Sequence, residues 1–264
     1  MNAPVPLGLW LVALAAAGVV TITVVAVILS SGERPAARRA AALVLVWLAA
    51  VVALGSAGVF AATSTTVVPL IAAAIVVPIV AGVWLTGRPG SAQRLAGSLP
   101  LHRAVGVQVY RAAGVIFLIA WASGRMPALF ALPAGIGDIA VGLGAPVVAA
   151  RLRADADVDE RTRRLAVAWN VLGITDLGVA VALGFFTSPS AFQLLSLGAP
   201  NTLITRMPFV LVPAFAVPLS IVLHVIALRR LRGAERAGPA LAHAAAANEW
   251  ELRFSPERRF SESR

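Results

Sequence analysis

Lysine and cysteine are absent: all 22 basic residues are arginine, and the chain carries no thiol. The first absence excludes a retinal protein, whose chromophore is held as a lysine Schiff base. The second excludes disulfides, thiol nucleophiles and iron–sulfur ligation, and leaves the redox state of the compartment unread. Charge is scarce as well, at 13% of the 264 residues, against roughly a quarter in a soluble domain. What is abundant is apolar: 59% hydrophobic residues and a mean hydropathy of +0.87. That is the composition of an integral membrane protein, and the exclusive use of Arg with abundant Ala suggests a GC-rich bacterial genome. The net charge of +10 does not signal nucleic acid, because the arginines gather at the ends of apolar spans, where they set topology. The opening residues MNAPVPLGLW have no basic stretch before the apolar run, so that run reads as a first span and not as a cleaved signal peptide.

Crossing a bilayer as a helix takes about 20 mostly apolar residues. Seven stretches qualify: Leu7–Leu29, Ala41–Ala62, Val67–Leu85, Val105–Ala122, Pro127–Ala150, Leu165–Phe186 and Phe209–Leu228. The runs are continuous and do not alternate, so the fold class is all-α, with seven transmembrane helices. Arginines crowd the connections after spans 1, 3, 5 and 7, whereas the other side has only Arg125 and Arg206. The N-terminus is therefore expected outside and the C-terminus in the cytoplasm of a bacterial inner membrane. Trp10, Trp47, Trp84, Trp121 and Trp169 fall toward predicted span ends, as interfacial Trp would.

The spans differ in chemistry. Residues 1–86 hold three spans without a charged side chain. Residues 87–104 form a Gly-, Pro- and Ser-containing cytoplasmic connector. Residues 105–232 hold four spans containing Gln108, Arg111, Asp138, Asn170, Asp176 and His224, and residues 233–264 form a charged, partly disordered cytoplasmic tail. The expected architecture is a polar-cored four-helix half beside an apolar three-helix half. In the outer loop after span 6, AFQLLSLG is expected to form a short interfacial helix or a lid.

Asp138 and Asp176 sit at mid-membrane depth: about 20 Å in from Arg151 and about 18 Å in from Arg164, at the rise of an α-helix. An acid there faces a protein interior or a water-filled cavity. Asn170, Gly173 and Asp176 share a helix face, as do Gln108 and Arg111, and Ser220 and His224. Ala134, Gly135, Asp138, Gly142 and Ala145 make a small-residue stripe that permits close helix approach. Side chains lean toward a helix N-terminus, which brings Asp176 nearer Arg111 than Asp138. Pro213 and Pro218 are placed to open the last helix. These groups are expected to converge on a polar pocket reached from the cytoplasmic side.

Several chemistries fit parts of this pattern. Two mid-membrane carboxylates beside an arginine suit a proton or cation relay, or a buried ion pair that fixes helix register. Gly135-Ile136-Gly137-Asp138 matches the GxGD string of intramembrane aspartyl proteases, with Asp176 as second acid and Pro127-Ala128-Leu129 as a PAL-like element. In that family the other aspartate precedes GxGD and PAL follows it, so both relations are reversed here. Asp155, Asp157 and Asp159 give D-x-D-x-D but lack the Gly and terminal Glu of a calcium loop. They read as a solvated loop balancing its arginines. His224 stands without a second ligand in any span, so no haem, metal or other cofactor is expected. No hydrolase, zinc-protease or phosphate-loop motif occurs. GIGDIAVGLG around Asp138 and GITDLGVAVALG around Asp176 also echo each other, as the halves of an inverted repeat would.

The run VQVYRAAGVIFL, FALPAGIGDIAVGLGAP, AWNVLGITDLGVA, NTLITRMP and FAVPLSIVLHVIALRRL, over Val107 to Leu231, resembles a group of uncharacterised bacterial multi-pass membrane proteins. The resemblance implies no activity. The leading expectation is a small transporter or ion-coupled permeation protein with Asp138 and Asp176 as carriers and Arg111 as counter-charge. Gln108, Asn170 and His224 would line the cytoplasmic half. The alternative is a non-catalytic scaffold or accessory subunit. An enzyme is the lesser expectation, in the form of an aspartyl hydrolase. Expected partners are the lipid bilayer and a membrane protein or second copy of the chain, not nucleic acid.

Overall fold

The computed structural model describes residues 6–63, 70–154, 158–191, 193–195 and 200–233. The chain divides into two compact units, Met1–Ala227 and Leu228–Arg264. In the second, residues 228–233 are described and are helical. Among the described residues every regular element is helical. In chain order they are α1 (Leu7–Leu29), α2 (Arg34–Ser56), α3 (Leu70–Gly87), the short α4 (Ser91–Ser98), α5 (Leu101–Ala122), α6 (Ala128–Ala154), α7 (Glu160–Thr187) and α8 (Val212–Gly233). All except α4 are long and apolar enough to cross a membrane, which matches the seven expected spans in number and order.

The bounds differ most at α2. It starts seven residues before the expected Ala41 and takes Arg34, Arg38 and Arg39 into its first two turns. Pro35 favours that start because its missing N–H lies where a helix has no partner for one. The same helix ends early, since Gly58 at φ 74° allows a left-handed cap, with Val59 N–H bonded to Leu54 O and Gly58 N–H to Gly55 O. Gly124, at φ 70°, closes α5 in the same way. At the start of α7 the Asp159 carboxylate accepts from the Thr162 N–H at 2.5 Å, capping an otherwise unpaired donor.

The centre is α6, which lies against α5 along its length and against α7, while α1 packs on α2 and α5, and α3 on α4 and the start of α8. Three apolar clusters form among the described residues. One gathers Leu9, Phe117, Phe130, Ala134, Ile204 and Phe209, a second Val24, Leu95, Tyr110, Phe215, Leu219 and Leu223, and a third Val51, Phe60, Ile71, Ile75, Val210 and Leu211. The outer surface is apolar too: Leu43, Val46 and Val77 are 66%, 66% and 63% exposed, whereas Arg111 is 4% and His224 0%. Polar groups inside and aliphatic groups outside reverse the distribution expected in water.

Trp47 and Trp169 do not lie at helix ends. Trp47 packs its ring on Phe215 at 4.9 Å in the middle of α2, and Trp169 is buried beside His224 at 5.1 Å. Because α2 and α7 both begin earlier than expected, these positions lie deeper in their helices. Of the stretch expected to form an interfacial helix or lid, residues 192 and 196–198 lie outside the described residues, as do Asp155, Asp157 and the tail 234–264. The described Gln193–Leu195 are not helical.

Candidate functional site

The site begins with a change of helical pitch. Val107–Gly114, inside α5, is wound as a 3-10 helix, where residues three apart eclipse one another. Gln108, Arg111 and Gly114 therefore form one buried edge, while Val109 and Val115 on another edge are exposed. At Gly114 the backbone meets α6 so closely that a methyl group would overlap Cβ of Asp138; one at Gly142 of α6 would overlap the backbone at Ala112. Small residues at these positions allow the approach.

From this edge the Arg111 guanidinium reaches three helices. Its Nε donates to Asp138 Oδ1 of α6 at 2.8 Å, and its Nη2 donates to Asp176 Oδ2 of α7. Nη1 donates to Gly173 O at 3.3 Å and stands 3.3 Å from His224 Nε2 of α8. The expectation that Asp176 is the carboxylate nearer Arg111 captures half of this arrangement. The planar guanidinium has donors on several edges, so one side chain holds both acids. Asp138 lies ten residues from the start of α6 and Asp176 eleven from the end of α7. In these antiparallel neighbours that is the same level, about 15–17 Å along the helix axis.

The histidine's state follows from its partners. Arginine has only donors, so His224 Nε2 accepts and the ring is neutral with its proton on Nδ1. Nδ1–H then donates to Asn170 Oδ1 at 2.9 Å, and Asn170 Nδ2 donates to Ala166 O at 2.7 Å. Each link fixes the next. Gln108 Nε2 donates to Ser220 O at 3.1 Å, and Tyr110 OH lies 2.7 Å from Ser220 Oγ. Trp169 Nε1 donates to Val141 O at 3.2 Å and closes one side.

The structure thus brings all six sequence-identified residues together. Tyr110 and Trp169 were missed, although the first is the single Tyr and adjoins Arg111, and the second adjoins Asn170. The expected access differs. Gln108, Asn170 and His224 are sealed, at 1%, 1% and 0% exposure: His224 and Asn170 bind each other, Asn170 and Gln108 each donate to a backbone carbonyl, and Gln108 Oε1 is buried without a partner. Space lies instead beside Asp138, with Arg111 on one wall. Asp138 borders a cavity of about 60 Å³ against α1, shared with Tyr110 and Ser220. It also borders one of about 120 Å³ that runs past Phe117, Phe130 and Leu177 to Ser188, Ser190 and Thr205. A wider, π-type turn runs over Val212–Ala216 with Pro213 near its start, and Val212 lines both cavities. Among the described residues no group of three or more His, Cys, Asp or Glu side chains could hold a metal.

Fold and site define a class: an all-helical protein with seven helices fit to cross a membrane and a buried arginine holding two carboxylates. The chain belongs to a family described as a domain of unknown function (DUF8737), whose family model matches residues 65–232. Arg111, Asp138, Asp176 and His224 all fall in that range. No curated protein and no solved structure matches the chain.

Proposed function

We propose that the protein is a multi-pass membrane protein, N-terminus outside and C-terminus cytoplasmic, that couples uptake and release of a proton or monovalent cation at its carboxylate pair to passage of a solute. One observation carries this reading. Two carboxylates share a single guanidinium, and the neighbouring histidine is neutral by its hydrogen bonds, so the centre holds one surplus negative charge. An uncompensated buried charge is costly, and a proton or cation removes it. Asp138 also borders both cavities, which gives such an ion somewhere to come from. The apolar exterior supports a lipid surrounding, and the arginine bias between connections supports the orientation.

A second reading has its own support. Arg111 ties α5 to α6, α7 and α8, which suits a scaffold whose charges lock helix packing. An aspartyl hydrolase is disfavoured, since its dyad shares one proton between facing acids, whereas here each carboxylate bonds the guanidinium. Infrared difference spectroscopy across about pH 5 to 8, the window for acid–base work, separates the first two. Coupling predicts a titrating carboxyl band that disappears in Asp138→Asn or Asp176→Asn, and proton flux in proteoliposomes that disappears with it. A silent spectrum and no flux would leave the scaffold.

A further inference from the structure

We infer that the Val107–Gly114 stretch of α5 is a charge-sensitive length element: it is wound 3-10 while Arg111 bonds both carboxylates, and it rewinds to an α-helix when either carboxylate loses its charge. The inference rests on the coupling reading above, since it names the backbone movement that uptake of a proton or cation would set off at that same site.

The pitch is unusual and has to be held. A 3-10 helix has poorer hydrogen-bond geometry than an α-helix, so runs beyond about three or four residues are uncommon. This one has eight, and Val107 and Gly114 at its ends have ψ values of -26° and -15°, against about -42° in an α-helix. No proline in VQVYRAAG imposes it.

The holding groups are side chains that reach other helices. Three residues advance a 3-10 helix by one full turn but an α-helix by about 300°, so only the tighter winding sets Gln108 and Arg111 on one edge. On that edge Gln108 Nε2 donates to Ser220 O of α8 at 3.1 Å, while Arg111 donates to Asp138, Asp176 and Gly173 O. Ser220 Oγ gives its own proton to Ala216 O at 2.8 Å, so Tyr110 OH, 2.7 Å away, donates to Ser220. The winding is thus held from two sides, by α8 at Gln108 and Tyr110 and by α6 and α7 at Arg111. The bonds to carboxylates are the strong ones, since charge assistance roughly doubles a hydrogen bond. With one carboxylate neutral, Arg111 has only the other to follow. The need for a shared edge lapses, and the better hydrogen bonding of the α-helix prevails.

Rewinding eight residues shortens α5 by about 4 Å, at rises of about 2.0 and 1.5 Å per residue. The stretch borders space on one side. Tyr110, Arg111, Ala113 and Gly114 wall the smaller cavity, and Val212, Phe215 and Ala216 of the π-type turn wall it too. Two of its walls therefore depart from α-helical pitch, one tightened and one widened. The titratable and charged groups around Arg111 are Tyr110 of α5, Asp138 of α6, Asp176 of α7 and His224 of α8; α1, across the cavity, carries none. Tyr110 is committed as a donor and His224 as an acceptor, which leaves the two carboxylates to change charge.

The test is the length of α5, read by electron–electron double resonance between spin labels. The chain has no cysteine of its own, so Arg103→Cys and Ser123→Cys, exposed and on either side of the stretch, take the labels. Ala128→Cys and Ala150→Cys, exposed on α6, form the control pair. The full chain is measured at about pH 8 and about pH 5, across the window for acid–base work, with the carboxyl band followed in parallel. The α5 distance should shorten by about 4 Å in Asp138→Asn and in Asp176→Asn, and in the chain with both acids intact on acidification, while the α6 distance stays. Where a single variant does not fold, Arg111→Met combined with Asp138→Asn and Asp176→Asn removes every charge of the centre and should show the same shortening. An unchanged α5 distance in the folded variants overturns the inference, because packing alone would then set the pitch. An equal shift in the α6 pair overturns it as well, since the whole bundle would be moving. A titrating band with an unchanged α5 distance overturns it and leaves coupling standing. Shortening in the variants, with no titrating band when both acids are intact, upholds the charge-set pitch and removes coupling.

Discussion

A methyl group on Gly137 would occupy the place of the Asp176 carboxylate: the second glycine of Gly-Ile-Gly-Asp on α6 is a socket for the acid of α7. Gly173 plays the reciprocal part, since a methyl there would overlap the His224 ring and crowd Arg111 Nη1. Within the GxGD string, Gly135 packs on Leu118 and Gly137 on the ion pair.

Gly137→Ala and Gly173→Ala should therefore lower the melting temperature sharply. Gly178→Ala, in the same helix as Gly173 with nothing within 4 Å of the added carbon, should be neutral or raise it, because Ala favours a helix over Gly by about 1 kcal/mol in solution. Thermal unfolding of the three variants in one detergent checks the contrast. Equal behaviour of Gly173→Ala and Gly178→Ala would contradict the socket.

Removing Arg111 leaves two carboxylates without their cation. Arg111→Ala should destabilise by about 3–5 kcal/mol, the usual penalty for breaking a buried pair. Arg111→Lys should rescue little, because an ammonium lacks the planar fork that serves Asp138, Asp176, Gly173 and His224 at once. Adding Asp138→Asn and Asp176→Asn to Arg111→Met should restore much of the loss. Denaturant unfolding of single and combined variants measures it.

The hydrogen-bond chain fixes the His224 tautomer. Nitrogen-15 NMR should find a neutral ring protonated at Nδ1. His224→Phe should cost about 1–3 kcal/mol for each polar partner it strands, here Asn170 Oδ1 and one Arg111 donor. A proton found on Nε2 would break the proposed donor order.

The start of α7 has a pH dependence of its own. Its hydrogen bond from Thr162 holds the Asp159 carboxyl below the usual carboxylate range. The stabilisation is fully present above the ordinary carboxylate value and is lost as pH falls through the lowered one. The protection of the Thr162 amide against exchange, corrected for the intrinsic pH dependence of exchange, should fall under acid, and Asp159→Ala should lower it already at neutral pH.

The natural absence of cysteine makes sidedness simple to measure. Ser91 and Ser123 are both exposed. With the N-terminus outside, an impermeant maleimide should label Ser123→Cys in intact cells and Ser91→Cys only after lysis. The reverse pattern would invert the topology.

Seven apolar helices were legible from the sequence because burying a backbone in hydrocarbon demands long uninterrupted runs, and such runs are a one-dimensional property. The chemistry-bearing residues were legible for a related reason: Arg111, Asp138 and Asp176 stand out where charge is otherwise excluded. Helix ends were less so. The start of α2 at Arg34 and the depth of Trp47 and Trp169 depend on caps and contacts, and arginine reads equally well as a loop or a first turn. What only the tertiary structure decided is how the groups meet. That Arg111 holds both acids, that Gly137 makes room for Asp176 and Gly173 for His224, and that both cavities border Asp138 all depend on three helices meeting a 3-10 edge. Distances between residues far apart in the chain are set by packing, and no spacing within one helix encodes them.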